Sequence, residues 1–448
     1  MPSVPKHLKN TSKPLTRESM IRYFLDGCKK KDDLKIGVEW EKIGVYKHNL
    51  KAIRYSGPKG VRAIFKSLVS HYGWSPVMSG IHPIALKKGS SSITLEPGGQ
   101  IELSGQKASA LDQNASELLS HLAEIKKVSE PLGIVWLGTG LQPISVAKNI
   151  QWVPKKRYAI MRGNLKNKGT LSYRMMKETA SIQISLDYVS EKDAIQKLRL
   201  AMALAPFFSA LFANSPVSRG KLNSFRSERA HIWRHTAPER TGIIEEVFKK
   251  NFGFDDYVEF AAGVPMIFIT RQNRWIAVKG ITFKEFMKRG FHGFKATLAD
   301  WQLHLTSIFT ECRLKQYLEI RSIDCQKTTF GLSAPALVKG IFYDPVSLER
   351  TWKLIGDLSM KERHRLASEV PRLALKSKLR GETLGKFAKK IVSFAREGLL
   401  RLGQKNLALQ GDLKYLEPLE QSVLKEKTPA DEVIKKFGPK NLAQLLSL

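Results

Sequence analysis

Five glutamates, Glu39, Glu41, Glu96, Glu102 and Glu319, stand in or beside short segments where polar and apolar residues alternate. In residues 36–45 (IGVEWEKIGV), Glu39 and Glu41 fall on one side of an extended chain and Val38 and Trp40 on the other, because successive strand side chains point to opposite faces. The same period of two sets Gln100, Glu102 and Ser104 against Ile101 and Leu103. It sets Gln183, Ser185 and Asp187 against Ile182, Ile184 and Leu186, and Tyr317, Glu319 and Arg321 against Leu318 and Ile320. One such segment is ordinary, since charged residues alternating with apolar ones mark a strand with a solvated face. Carboxylates gathered from several of them repel one another unless cations join them. Hard oxygen ligands of this kind suit Mg²⁺, with Mn²⁺ as an alternative, and Mg²⁺ completes its octahedron with nucleotide phosphates and water. The expected chemistry is that of an anionic substrate bridged by divalent metal.

An antiparallel sheet backed by helices, with its polar face open, accounts for all four segments and makes the chain α+β. Pro97-Gly98-Gly99 predicts a tight turn that sets Glu96 and Glu102 at the two ends of a hairpin-like feature. Helical periodicity predicts helices over 15–31, opened by Thr16, and over 59–72, 109–132 and 190–213, the last capped by Ser190. Beyond 346 the pattern is almost wholly helical, with helices at 359–370, 383–402 and 429–437. The expected organisation is an N-terminal lead-in and helix (1–35), a catalytic body (36–345) and a helical region (346–448).

At 448 residues, 42% hydrophobic and 26% charged, the chain can bury a large core. No apolar stretch approaches the roughly 20 residues a membrane span needs, which speaks against an integral membrane protein. Cys28, Cys312 and Cys325 form no CxxC pair, so a reducing cytoplasm is the expected setting. The first 18 residues are basic without an apolar segment and read as a short mobile lead-in, not a secretory signal. The excess of 74 Lys+Arg over 41 Asp+Glu gives a net charge of +33. Those charges are spread along the chain without a nucleic-acid-binding motif, so they read as a solvated surface, with no obligate nucleic-acid partner and no membrane. A non-catalytic basic binding protein is the second reading that this charge keeps open. His231 and His235 are spaced i,i+4 without an HExxH pattern and read as structural, and Cys312 reads as a core thiol. Neither a complete GxGxxG nor a GxxxxGK[ST] loop is present, so any nucleotide must be held in another way.

In the order GVEWEKIGVY, YGWSPV, ITLEPGGQIELSG, RYAIMRGN, ALFANSP, RAHIW, RTGI, FGFDDYV, HLTSIF and RLKQYLEIRSID, the chain resembles the plant and proteobacterial glutamate–cysteine ligases from about Ile36 to about Asp344. The last hundred residues resemble that family only in being helical. The resemblance implies a glutamine-synthetase-like fold, a curved antiparallel saddle holding ATP, Mg²⁺ and glutamate. It implies attack of the glutamate γ-carboxylate on the terminal phosphate of ATP, followed by capture of γ-glutamyl phosphate by the amine of cysteine, the first step of glutathione biosynthesis. By match to its motifs, Glu39, Glu41, Glu96, Glu102 and Glu319 become candidate metal ligands and Gln183 a weaker one. Arg321, with Glu319, becomes catalytic and ATP-binding, and Arg157 and Arg229 become glutamate-binding, with Arg162 and Arg240 as substitutes. Ile267 occupies a place where the family carries an aromatic residue near the acceptor, which leaves a different amine acceptor open. The segment 79–92, expected as a loop, and RSIDC, in place of RGADG, also depart from the family pattern. The resemblance gives small-molecule substrates as partners, and a monomer or homodimer is the expected assembly.

Overall fold

The four alternating segments become four neighbouring strands. The computed structural model describes residues 15–438 and 441–448, so most of the predicted lead-in lies outside the described residues. Its main sheet has nine strands: β1 (Ile36–Tyr46), β2 (Ser75–Ser79), β3 (His82–Lys88), β4 (Ser91–Leu95), β5 (Ile101–Ser104), β6 (Ile134–Leu137), β7 (Ser181–Leu186), β8 (Cys312–Leu314) and β9 (Leu318–Asp324). They run in the order β8-β9-β7-β1-β5-β4-β3-β2, with β6 added to the far half of β1. All these pairings are antiparallel. The segment 79–92, expected as a loop, instead supplies the end of β2, all of β3 and the start of β4. Its run of Ile84, Ala85 and Leu86 gives β3 apolar residues to bury.

Val38, Trp40, Leu103, Ile182, Ile184, Leu186, Leu318 and Ile320 are buried on the sheet's apolar face in one large core. One departure from simple alternation matters for the site. Ile320 pairs with Ile184 and Ile323 with Ile182, so one extra residue is inserted into β9 at Arg321–Ser322. A bulge of this kind bends the strand and re-aims a side chain.

The helices used below are α1 (Arg17–Leu25), α2 (Val61–Tyr72), α3 (Leu111–Ser129), α4 (Lys156–Leu165), α5 (Glu191–Leu211), α6 (Glu228–Arg234), α7 (Ser333–Phe342), α8 (Leu384–Lys405), α9 (Glu417–Leu424), α10 (Pro429–Lys436) and α11 (Leu442–Leu446). Thr16 caps α1 in a reciprocal box with Ser19. The helix ends at Leu25, six residues short of the expected boundary at 31. There Gly27 passes against the Gln316 backbone and the Tyr188 hydroxyl, where a side chain would not fit. Ser190 caps α5 by accepting from the Asp193 N–H, as its position predicts. Contrary to the sequence expectation, α5 is long and apolar enough, on length and composition alone, to cross a membrane. In this fold 83% of that apolar stretch is buried inside the protein, packed against β8 and β9.

Past 346 the predicted helices are present as Met360–Leu373, α8 and α10. They close onto the sheet-bearing part: α8 crosses α7 so tightly that a Cβ on Gly340 would strike the Ala395 carbonyl, and one on Gly398 the Gly340 carbonyl. Ser447 bridges to Leu137 at the end of β6.

Candidate active site

Register places the carboxylates. Glu41 lies directly across from Glu102, and Glu39 lies across from Gln183 on one side and Ser104 on the other. Glu96, just past β4, is carried back over this floor by the predicted turn, in which the Gly99 N–H donates to the Glu96 carbonyl and the Glu96 N–H to the Gln100 carbonyl. Gly99 takes φ +86°, a conformation glycine adopts at no steric penalty. One carboxylate oxygen each from Glu41, Glu96 and Glu102 come within 4.8 Å of one another. Thr94 and Ser104 hydroxyls donate to the Glu102 carboxylate at 2.8 and 3.2 Å. The Ser181 N–H and hydroxyl hold the Glu41 carboxylate at 2.5 and 3.0 Å. Burial, and then the charges of Glu96 and Glu102, push the Glu41 carboxyl up to about 8. Burial and Glu102 push Glu39 up to about 7. The group is thus short of positive charge, which is what a divalent cation would supply.

Glu319 lies on the same sheet but in a different setting. Fully buried, it is clasped by three cations: Lys315 at 2.7 Å, Arg321 at 2.5 Å, and Arg313. Burial alone would raise its pKa, yet Arg313, Lys315 and Arg321 together hold it well below the usual carboxylate range. Gln183 spans the two settings, donating to Glu41 at 3.2 Å and accepting from Arg321. The weaker metal candidate therefore stands as a hydrogen-bonding link between the acidic floor and the arginine.

Arg229, on α6, donates to the Arg321 carbonyl at 2.7 Å and lies 3.6 Å from Asp324. Asp324 in turn accepts from the Asn214 N–H and the Ser215 and Ser227 hydroxyls, which makes it a fixed knot behind the arginine. Arg229 and Arg321 face one cavity together with Glu41, Glu96 and Gln183. Trp233 joins that wall, its indole N–H without a partner and its ring 5.9 and 5.7 Å from the two guanidinium groups. Arg157, on α4, donates to the Thr306 carbonyl and hydroxyl and stacks 4.9 Å over Phe268. The same Thr306 carbonyl accepts from Arg313, so Arg157 is tied to the clasp around Glu319.

The two substitute arginines lie elsewhere: Arg162 is exposed over Trp152, and Arg240 is buried as a structural donor to the Ser307 and Pro265 carbonyls. Ile267 is buried in the main core beside Phe268. His231 stacks on Phe225 at 4.3 Å and meets His235 in a tilted contact at the same distance, an arrangement that fits the structural reading. All three cysteines are free, and burial pushes the Cys312 thiol up, in keeping with an inert core position.

Sequence reasoning passed over Arg313, Lys315, Thr306, Asp324 and Trp233. Arg313 and Lys315 carried the available signal, because both alternate with Leu314 in RLKQYLEIR.

A family model described as glutamate-cysteine ligase family 2 matches residues 35–441. The chloroplastic glutamate–cysteine ligase of Nicotiana tabacum is 39% identical over 432 residues, 96% of this chain and 81% of the relative. That of Arabidopsis thaliana is 39% identical over 430 residues, 95% of this chain and 81% of the relative. Among solved structures, a glutamate–cysteine ligase from Francisella tularensis in complex with AMP superposes with a TM-score of 0.55 at 14% identity, covering 92% of this chain and 87% of that one. At that identity the likeness shows the fold, and it is the ligase fold expected from the sequence.

Two expectations are corrected. The likeness does not stop near 344 but runs to 441, through the C-terminal helices. The cytoplasmic setting is overturned: the Nicotiana tabacum and Arabidopsis thaliana relatives, which match nearly the whole chain, are chloroplastic ligases. A low cysteine count signals a reducing compartment without saying which one.

Proposed function

The chain belongs to glutamate–cysteine ligase family 2, and from that membership together with the site we infer an ATP-dependent ligase that joins the γ-carboxyl of L-glutamate to the amine of L-cysteine, the first step of glutathione biosynthesis. The observation that carries the site assignment is the junction of an acidic floor with Arg229 and Arg321 in one cavity. In the first step a γ-carboxylate oxygen attacks the terminal phosphorus of ATP and the bond to ADP breaks. In the second the cysteine amine attacks the acyl carbon, phosphate departs and the nitrogen gives up a proton.

Two anions must approach for the first step, and Arg321 is set to steady the phosphoryl group in flight, because Gln183 and Glu319 hold its guanidinium from below. Arg229, braced by Asp324, and Arg157, braced by Thr306, offer guanidinium forks to the carboxylates of glutamate. The crowded oxygens of Glu41, Glu96 and Glu102 fit Mg²⁺, with Glu39 and Glu319 on the same polar face. Bound there, Mg²⁺ would neutralise phosphate charge and orient the nucleotide.

The direct test is phosphate release from Mg-ATP and L-glutamate with a panel of amine acceptors. Release greatest with cysteine is the expected result, and release greatest with another amine would keep the mechanism and change the product.

Arg229→Lys should raise the glutamate KM about 10- to 100-fold, with the ATP KM little changed, since an ammonium cannot reproduce a bidentate fork. Initial-rate kinetics varying each substrate in turn would check this.

The metal-free fold carries a pH signature. Glu41 and Glu39 hold protons up to about 8 and about 7, whereas the unfolded chain releases them near 4.5. The folded state thus binds more protons across that interval, so its stability is greatest below it and falls as pH rises through it. Melts in chelator should show the melting temperature declining from about pH 5 to about pH 8, and added Mg²⁺ should recover most at the alkaline end, because metal binding releases those protons. A flat profile with chelator would show that these two carboxyls do not hold their protons above the usual carboxylate range.

A further inference from the structure

Past the end of β9 a second cavity opens between residues Gln326–Phe330, which lead into the short helix Thr328–Gly331, and the helices α9, α10 and α11. It holds about 260 Å³ and takes no part in the site described above. Its walls combine apolar surface, from Phe330, Val433 and Leu446, with four lysines: Lys327, Lys425, Lys427 and Lys436. Among the described residues no carboxylate pairs with any of the four. Glu432, the single acid in the wall, acts on Lys327 only at longer range.

Gln326 ties the cavity wall to the end of β9. It is 97% buried, and its amide nitrogen donates to two carbonyls, of Phe212 at 2.6 Å and Asp324 at 3.1 Å. Those two acceptors settle which way the amide faces, since an oxygen placed there would oppose both carbonyls. The side-chain oxygen is therefore turned away from them and is closed off by the surrounding protein. An apolar cavity with a few convergent polar groups is the usual form of a small-molecule site.

We propose that this cavity binds a small organic anion with an apolar body, and that its occupancy sets the affinity of the active site for glutamate. The lysines take the negative charge, and Phe330 and Leu446 cover the apolar part. The connection to the active site is short and made of hydrogen bonds. The Ala430 N–H at the start of α10 donates to the Ala213 carbonyl, the next residue's N–H donates to Asp324, and Asp324 positions Arg229. Gln326 itself hangs on the Asp324 carbonyl, and the Cys325 thiol donates to the Glu41 carbonyl. A ligand that draws α10 toward Lys327 and Phe330 pulls on both threads. The coupling half of this proposal rests on the assignment of Arg229 to glutamate.

The probe is 8-anilinonaphthalene-1-sulfonate, which carries a sulfonate, an N–H and an apolar body, added to the full-length protein without substrates and followed by fluorescence and calorimetry. One saturable site is expected. In Lys327→Glu/Lys425→Glu, where both changes are at exposed positions, its affinity should fall at least about tenfold, because two attractive charges become repulsive. Calorimetric titration of glutamate, which needs no turnover, should show its dissociation constant shifted by bound probe. By linkage, glutamate must then shift the affinity for the probe by the same factor. The double variant should show neither shift.

Probe binding unchanged in the double variant would overturn the proposal, and so would binding at this cavity with no effect on glutamate affinity. Absence of ligase turnover would count against the proposed function and leave the binding result readable.

Discussion

Glu319→Gln is expected to leave a folded protein with its turnover reduced about 10³-fold or more, the range that follows loss of a preorganised charge at a phosphoryl-transfer site. The side chain is fully buried among Arg313, Lys315 and Arg321, and the substitution keeps its shape while removing the one negative charge those cations share. Two consequences follow, and they can be told apart. Leaving buried cations uncompensated costs on the order of 3–5 kcal/mol, a large part of the about 5–15 kcal/mol that holds a domain together, so the melting temperature should drop markedly. Activity measured well below the new melting point reports the chemical loss alone. Glu319→Asp separates the two: it retains the charge and should recover much of the stability, but a carboxylate one methylene shorter should recover little of the turnover. Normal turnover in Glu319→Gln at low temperature would remove Glu319 from the catalytic machinery.

Arg321→Lys should be nearly as severe in rate and much milder in stability. The ammonium preserves a positive charge beside Glu319, but it cannot donate to Gln183 and Glu319 while still presenting a fork to the cavity. A fall in kcat of about 10²–10³ is expected, with the glutamate KM changed only a few-fold, because the interaction lost belongs to the phosphoryl group in flight and not to the bound substrate. Single-turnover measurement of ADP formation would place the loss in the first chemical step. A large rise in glutamate KM with kcat preserved would instead make Arg321 a substrate-binding residue.

The reach of the sequence varied from residue to residue for physical reasons. Glu39, Glu41, Glu102 and Glu319 could be put on one face because a strand's period of two is a strict geometric rule, and register then brought Glu41 and Glu102 opposite each other. The turn at Pro97–Gly99 was legible because only a few residue types tolerate that backbone. Alternation could not show the bulge at Arg321–Ser322, which depends on how β9 meets β7. Nor could it show the knot at Asp324, whose donors come from Asn214, Ser215 and Ser227, about a hundred residues earlier. Arg313 and Lys315 lie in a three-residue strand and its exit, too short for a pattern to stand out from a chain rich in basic residues. The helices beyond 346 were placed well, yet their kinship was missed, because motif residues advertise chemistry whereas helix–helix contacts are spread thinly over many apolar positions.

Where α8 crosses α7, the obstacle to any side chain at Gly340 or Gly398 is a carbonyl oxygen of the opposing main chain. Most packing constraints are negotiable in a genetic sense, since a bulky change at one site can be suppressed by trimming the neighbour that it meets. Here the neighbour is backbone, present whatever residue occupies the position, so no second-site change in a side chain can restore the fit. A suppressor screen begun from Gly398→Val should therefore return glycine at that position, as true revertants, in preference to compensating mutations elsewhere in the crossing.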